Sequence, residues 1–356
     1  MRLMLVANVG DGLCTAIRTT IGEIVQIDCG STAGARNLSG PRSAFDGLCK
    51  IIDVLSTPRT IFLSHIHIDH YNGLIYADTK GSAHSFLPLN MKEVIFPGIP
   101  DFSRKREFLF ALLTMNLRLL GDETGIAEYE LVKLITRLNA GKRPQFGPVY
   151  QGDHVMVGGS YYTILWPPRM LAENEPAAKT VVQALKLFKR ALQKDETTRK
   201  WYEYVRETNL DSDYLDRRKD KMPSDQDRGR LFPEFLPRKL PAIVDKANKA
   251  LRKAANRLSL SFLEDSGDFL FMGDMESKEV KMVVDNALAS NRRYFRIFVT
   301  PHHGTHWNKA LLNLKCTYAI SSCGRKHYRN LCFKYDRICL EHRATWECGD
   351  VICWIT

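Results

Sequence analysis

Short apolar runs broken by glycines and single polar residues open the chain. Residues 3–6, 14–18 and 23–27 read as strands, with Gly10, Asp11, Gly12 and Gly22 as punctuation. Over 42–55 the period changes. Phe45, Leu48, Ile51, Ile52 and Leu55 recur at helical spacing and predict a helix. Residues 60–63 form a short apolar strand that runs directly into Ser64-His65-Ile66-His67-Ile68-Asp69-His70. A further strand over 93–96 is closed by Pro97 and Gly98, and helices follow near 103–119 and 126–139. Gly152-Asp153 and Gly158-Gly159 bracket short strands, the last over 162–165, before the stop Trp166-Pro167-Pro168. Strand patterns resume at 258–263, 269–272 and 295–300 and end with 346–355.

The stretch 171–256 differs. It reads as helices near 176–207 and 238–255 joined by a polar linker, and it holds 20 Lys+Arg against 14 Asp+Glu. β-rich ends, each with helices, therefore flank a charged helical insertion. This predicts an α+β protein with two sheets packed between helices, a four-layer αββα sandwich. The expected divisions are 1–170, 171–256 and 257–356, the first and last being two halves of one domain.

Composition narrows the class. The chain has 356 residues, 44% hydrophobic and 26% charged, which suits a globular protein with a sizeable core. A net charge of +11 favours a polyanionic partner or substrate. No stretch approaches the roughly 18 apolar residues of a membrane span. The opening residues lack the long apolar core and small-residue cleavage site of a signal peptide. Nine cysteines in such a chain suggest reduced thiols and a cytoplasmic protein. Six of those cysteines fall between 316 and 353 without a CxxC pair, so buried apolar roles are expected before a structural zinc.

The histidines carry the chemical signal. Six of ten lie in two windows, 65–70 and 302–306. His65 and His67 alternate and project to one side if the backbone stays extended. The chain then turns and brings Asp69 and His70 to a second position. Imidazole and carboxylate together suit zinc or a similar divalent ion, and two ligand pairs so close predict two ions that hold a bridging hydroxide and clamp a phosphate. Asp274 follows an apolar run and a glycine, the place for a carboxylate at a strand's end, although the same position also suits a helix N-cap.

The segment SHIHIDH is similar to the HxHxDH signature of the metallo-β-lactamase superfamily. Four further segments resemble, in order, the hydrolase domain of the DNA-uptake protein ComEC. These are Asn8-Val9-Gly10-Asp11-Gly12, Ile27-Asp28-Cys29-Gly30, the pair 258–261 and Phe271-Met272-Gly273-Asp274-Met275, and Pro301-His302-His303-Gly304-Thr305. The resemblance implies that His65 and His67 bind one metal, that Asp69 and His70 bind a second, that Asp274 bridges them and that His302 completes the second site. It implies Asp28 as a carboxylate that orients a ligand histidine, with Asp69 and His303 in the chemistry, His303 as an acid or phosphate contact. His84 and His154 are candidates for a further ligand of the first metal. Lys326 and His327, in a segment only partly like the family's, are candidate substrate contacts.

The implied activity is phosphodiester hydrolysis on DNA, RNA or a nucleotide with two Zn²⁺ or Mn²⁺ ions. Hydrolysis of a thioester, lactone or β-lactam is the alternative within enzymes, and a binding subunit with a structural metal is the alternative outside them. Relatives of this type also occur as effector subunits in bacterial immunity, an antiviral setting. The insertion carries an apolar stripe, Leu185, Phe188, Leu192, Trp201, Tyr204 and Val205, which predicts packing on itself, on a second copy or on a protein partner. No membrane association is expected.

Overall fold

The opening apolar runs become one sheet. β1 (Arg2–Val6), β2 (Asp11–Arg18) and β3 (Ile24–Ala33) pair antiparallel, and β4 (Thr60–Phe62), β5 (Glu93–Pro97) and β6 (Gln145–Val149) extend the sheet in parallel. β14 (Val351–Ile355) pairs with β1 on the other edge, giving the order β14-β1-β2-β3-β4-β5-β6. The second sheet holds β7 (His154–Val157), β8 (Ser160–Trp166), β9 (Ser261–Glu264), β10 (Phe269–Phe271), β11 (Tyr294–Val299), β12 (Lys315–Ser321) and β13 (Cys339–Ala344), in the order β13-β12-β11-β10-β9-β8-β7. This computed structural model describes residues 2–35, 38–80, 88–120, 134–207 and 240–355.

One apolar core fills the space between the sheets. Met4, Val6, Ile27 and Phe62 from the first meet Tyr162, Phe262, Phe271 and Val299 from the second, all almost fully buried. The stacked pair Phe62–Phe262, 4.7 Å between ring centres, spans the interface. Helices cover both outer faces. α1 (Gly40–Val54) buries Ala44, Phe45, Leu48 and Ile51 over β2 and β3, and α2 (Asn72–Lys80) lies beside it. On the other side Val280, Val283, Val284 and Ala287 of a helix over Ser277–Ala289 pack on Leu165, Leu270 and Phe298. The layers are therefore αββα, as the pattern predicts.

Several elements differ from expectation. β6, β12 and β13 are not evident in the sequence. β6 carries Gly147 and Pro148, and β13 places exposed Leu340 and Glu341 side by side before half-buried His342 and Arg343, so neither shows a clean period of two. Residues 346–348, expected as strand, belong to a helical turn (Thr345–Cys348), and Gly349 at φ 75° redirects the chain into β14. The helix expected over 176–207 is two helices, Pro176–Lys194 and Glu196–Glu207. Asp195 leaves the helical conformation and its carboxylate accepts from Thr198 N at 2.8 Å, capping the second helix. Of the helix expected over 126–139, residues 126–133 lie outside the described residues.

The chain divides into two compact units. One comprises 1–101, 133–172 and 255–356 and contains both sheets. The other comprises 102–132 and 173–254. In the second unit Phe110 and Leu113, from a helix over Lys105–Leu120, cluster with Trp201 and Val205, and Phe188 meets Tyr202 edge-on. Leu185, Phe188, Trp201 and Val205 of the expected stripe are thus buried within the protein. No helix among the described residues is long and apolar enough to cross a membrane. No disulfide joins any of the nine cysteines.

Candidate metal centre

Strand ends from both sheets converge on one buried pocket. In the first sheet, Cys14 faces Cys29 and Thr15 faces Ile27, so Asp28 is the extra residue of a β-bulge. Its φ of 49° turns the carboxylate out of the ladder. There it accepts from Ser64 N at 2.7 Å and Ser64 Oγ at 2.5 Å, and it lies 2.7 Å from His70 Nδ1. A proton held on Nδ1 by Asp28 leaves Nε2 of His70 as the free ligand atom. Ser64 is the hub of this half, because its Oγ also lies 3.0 Å from both His65 Nδ1 and His70 Nδ1.

The chain then enters a 3-10 turn, Ile68–His70, closed by His70 N donating to His67 O at 2.9 Å. Gly30 explains how the turn comes so near β3. A Cβ there would sit 2.1 Å from the Asp69 carbonyl oxygen. His65 and His70 rings stand 3.9 Å apart, and His67 meets His65 edge-on at 4.4 Å. His65, His67, Asp69 and His70 are all buried.

The second sheet supplies the facing side. Asp274 follows β10 and is buried, and the N-cap of the next helix is Glu276, so the capping alternative for Asp274 does not apply. Its Oδ2 lies 3.5 Å from His70 Nε2 and 3.5 Å from His303 Nε2. After β11 the turn Pro301–Gly304 places His302 and His303 in succession at φ 50° and 59°, with Gly304 at φ 84°. This splays the two rings. His303 points inward, with Nδ1 2.8 Å from Ser322 O. His302 turns its Nδ1 to the Asp274 main-chain oxygen at 3.2 Å. His303, not His302, therefore faces the Asp274 carboxylate.

Burial alone would push Asp274 up, but the imidazoles of His303 and His70 outweigh it and hold the carboxyl well below its usual range. Burial would push His70 down, yet Asp28 and Asp274 hold it well above an ordinary imidazole, and Asp274 likewise raises His303. Asp28 and Asp274 thus make the pocket favourable to positive charge. One ligand atom each from His65, His70 and Asp274 lies within 4.8 Å of the others. Two imidazole nitrogens and a carboxylate oxygen, all buried, fit a divalent ion such as zinc or manganese.

The other expected residues fall as follows. His327 belongs to the pocket's rim: its ring stacks on His303 at 4.6 Å and 7°, and burial, with the nearby His303, pushes its pKa down to about 4. Lys326 is exposed beside it. His154 is exposed on edge strand β7, its Nδ1 3.0 Å from Thr163 Oγ1, and joins no residue of the pocket. His84 lies outside the described residues. Sequence reasoning missed Ser64 and Asp11. Asp11 is buried and its Oδ1 accepts from Gly324 N at 3.0 Å and His327 N at 3.1 Å, while His327 Nδ1 lies 3.3 Å away. The likeness of 8–12 to a family opening was its only signal. Among the described residues, the C-terminal cysteines join no group of three or more possible metal ligands.

No protein-family model matches the chain, and no curated protein matches it. Among solved structures, similarity is found to the metallo-β-lactamase fold protein YhfI from Bacillus subtilis, at 8% identity and TM-score 0.39 over 97% of this chain and 96% of that one. A diphosphatase from the PhnP family gives 8% identity and TM-score 0.39 over 100% and 98%. The archaeal metallo-β-lactamase superfamily protein ST1585 from Sulfolobus tokodaii gives 12% and 0.32 over 83% and 78%. These superpositions are loose, and the architecture described above rests on the chain's own strand order and core.

Proposed function

We propose that this chain is a metal-dependent hydrolase that cleaves phosphodiesters in DNA, RNA or a nucleotide. The observation that carries the reading is the convergence of His65, His70 and Asp274 in one buried pocket, with Asp28 fixing the His70 tautomer. In this reading His65 and His67 would hold one Zn²⁺ or Mn²⁺, and Asp69, His70 and His303 would hold another, with Asp274, beside His70 and His303, serving both. Such ions, when bound, offset negative charge developing on a phosphoryl oxygen and acidify water.

The chain's own groups do the rest. Asp28 keeps a proton at Nδ1 of His70, and the Ser322 carbonyl does the same for His303. Both histidines thus present Nε2 to the pocket. Asp11 anchors the turn that carries His327, and His327 and Lys326 at the rim meet the substrate. The phosphodiester class is supported by the ordered motif resemblance and by the net charge of +11. The insertion 171–256, net basic as a whole, is proposed to steer a polyanion or to bind a protein partner; its linker residues Arg217, Arg218 and Lys219 lie outside the described residues.

The test is hydrolysis of bis-p-nitrophenyl phosphate, DNA and RNA with Zn²⁺ or Mn²⁺. The reading expects metal-dependent turnover that a chelator stops and that Asp69→Ala and His70→Ala abolish. Turnover of a thioester or lactone with no phosphodiester cleaved would overturn the substrate class.

A further inference from the structure

The segment after β12 has an anchored side and a charged side. Arg325–Tyr328 form one short helical turn, continued by Arg329 in helical conformation. Tyr328 and Leu331, three positions apart, pack with Cys323 and Ala344. Arg325, Lys326 and Arg329 are left outside, all exposed. The turn is well held against the centre. Asp11 Oδ1 accepts from Gly324 N at 3.0 Å and from His327 N at 3.1 Å, Asn330 Nδ2 donates to the Lys326 oxygen at 3.0 Å, and Cys332 N donates to the Gly304 oxygen at 2.9 Å. The His327 ring, placed among the three cations, stacks on His303 at 4.6 Å.

These three cations are uncompensated. Several exposed cations elsewhere meet acids: Lys50 reaches Asp350 at 2.8 Å, Lys92 reaches Glu23 at 3.2 Å, and Lys281 reaches Asp285 at 2.6 Å. Among the described residues, Arg325, Lys326 and Arg329 form no ion pair. Two acids lie close to the turn. Asp11 is buried and its Oδ1 is taken up by the two main-chain amides, and Glu347 faces the Tyr328 hydroxyl. Arg325 and Arg329 also stand four apart on a helical turn, where like charges repel. Positive charge kept without a partner, beside a pocket that fits metal, calls for an anion from outside.

We infer that Arg325, Lys326 and Arg329 form a phosphate-tracking subsite, and that the substrate is a nucleic-acid strand and not a free nucleotide. The ligand class rests on the phosphodiester reading of the centre and narrows it. A small diester presents one phosphate, which the pocket itself would take. Three more cations outside the pocket match the phosphates on one side of the scissile bond. Guanidinium forks take phosphate oxygens in pairs, and an ammonium takes them as a point charge. Such contacts hold the backbone of any sequence, in DNA and RNA alike. Tyr328 is engaged in the packing beneath, so the turn offers backbone contact and not base stacking.

The test is strand binding by the full-length chain. It is read as fluorescence anisotropy of labelled single-stranded DNA and RNA of about 20 nucleotides, between about 50 and 200 mM salt, with EDTA present to stop turnover. The unmodified chain is compared with Arg325→Ala/Lys326→Ala/Arg329→Ala and with Lys50→Ala/Lys92→Ala/Lys281→Ala, which removes the same charge elsewhere. The rim variant is expected to bind both strands about 10-fold to 100-fold more weakly at the low-salt end. Its log–log salt slope should flatten by about 2, since each phosphate contact on a single strand accounts for about 0.7. The control should lose less than about threefold, and Arg325→Lys/Arg329→Lys, which keeps the charge and guards against misfolding, should stay within about threefold. An unchanged slope in the rim variant, or an equal loss in the control, would overturn the subsite. Turnover of bis-p-nitrophenyl phosphate by the unmodified chain with zinc or manganese is measured separately. Its absence would remove the phosphodiester reading, while the salt slope still decides whether the turn holds phosphate.

Discussion

Asp28 and His303 reach the same pocket by different routes. Asp28 leaves the first sheet through a β-bulge and is then tied by side-chain hydrogen bonds to Ser64 and His70. That half is contiguous: one strand end and one 3-10 turn carry His65, His67, Asp69 and His70. The second-sheet half is dispersed, and main-chain contacts and backbone strain hold it. His303 depends on left-handed residues and on the Ser322 carbonyl, and Asp274 comes from another strand. Hydrogen-bonded side chains fix the first half whatever the pocket holds. The second half is positioned by a turn that stores strain and so relies on its surroundings to stay in place.

Exchanging the two adjacent histidines breaks the comparison most sharply. His303→Ala should lower phosphodiesterase turnover by about 100-fold or more, since it removes a nitrogen 3.5 Å from Asp274. His302→Ala should cost about tenfold or less, because its ring faces the main chain. Steady-state rates on bis-p-nitrophenyl phosphate decide, and the reverse order would refute the placement of the turn.

Much of the first half was legible in the sequence. The residues from Ser64 to His70 are adjacent, and an apolar strand before them marks where they sit. Asp274 was legible too, as the polar residue after Phe269–Phe271. That His303 and not His302 faces the Asp274 carboxylate was not, because alternation cannot say which of two neighbours points inward when both are left-handed. Asp11 was illegible for another reason: its partners Gly324 and His327 lie more than 300 positions away, so only the fold joins them. Among the strands, β12 and β13 were missed because they carry charges and cysteines in place of a regular apolar alternation. The layer order survived these omissions, since helices and strands alternate in the right places at both ends.

Gly30→Ala sharpens the comparison from the other side. The new Cβ meets the Asp69 main-chain oxygen, so the 3-10 turn must move while the second half stays. Turnover should fall by about tenfold to 100-fold, with a stability loss of about 1–3 kcal/mol read by chemical denaturation. Unchanged turnover would show that the close approach of β3 to the turn has no bearing on the site.

The smallest expected effect is on pH. His342 Nε2 lies 2.9 Å from Ser321 Oγ, which in turn lies 2.8 Å from Thr300 Oγ1 behind the His303 turn. Burial pushes His342 below its ordinary value, and Asp336 opposes this only in part. The unfolded chain therefore binds the proton more readily. This contribution is fully favourable above about pH 6.5 and is lost as pH falls below it, with a slope of at most about 1.4 kcal/mol per unit. Denaturation of His342→Gln and the unmodified protein between pH 5 and pH 8 should show a shallower fall in the variant. Parallel curves would remove His342 from the account.

The claim beneath all of this is that the pocket where His65, His70 and Asp274 meet holds metal. Elemental analysis of purified protein and of Asp274→Ala, both reconstituted with zinc and passed through the same desalting step, measures it directly. The account predicts bound zinc in the unmodified chain and loss of most of it from the pocket in the variant, with circular dichroism unchanged. Equal zinc in both proteins would contradict it.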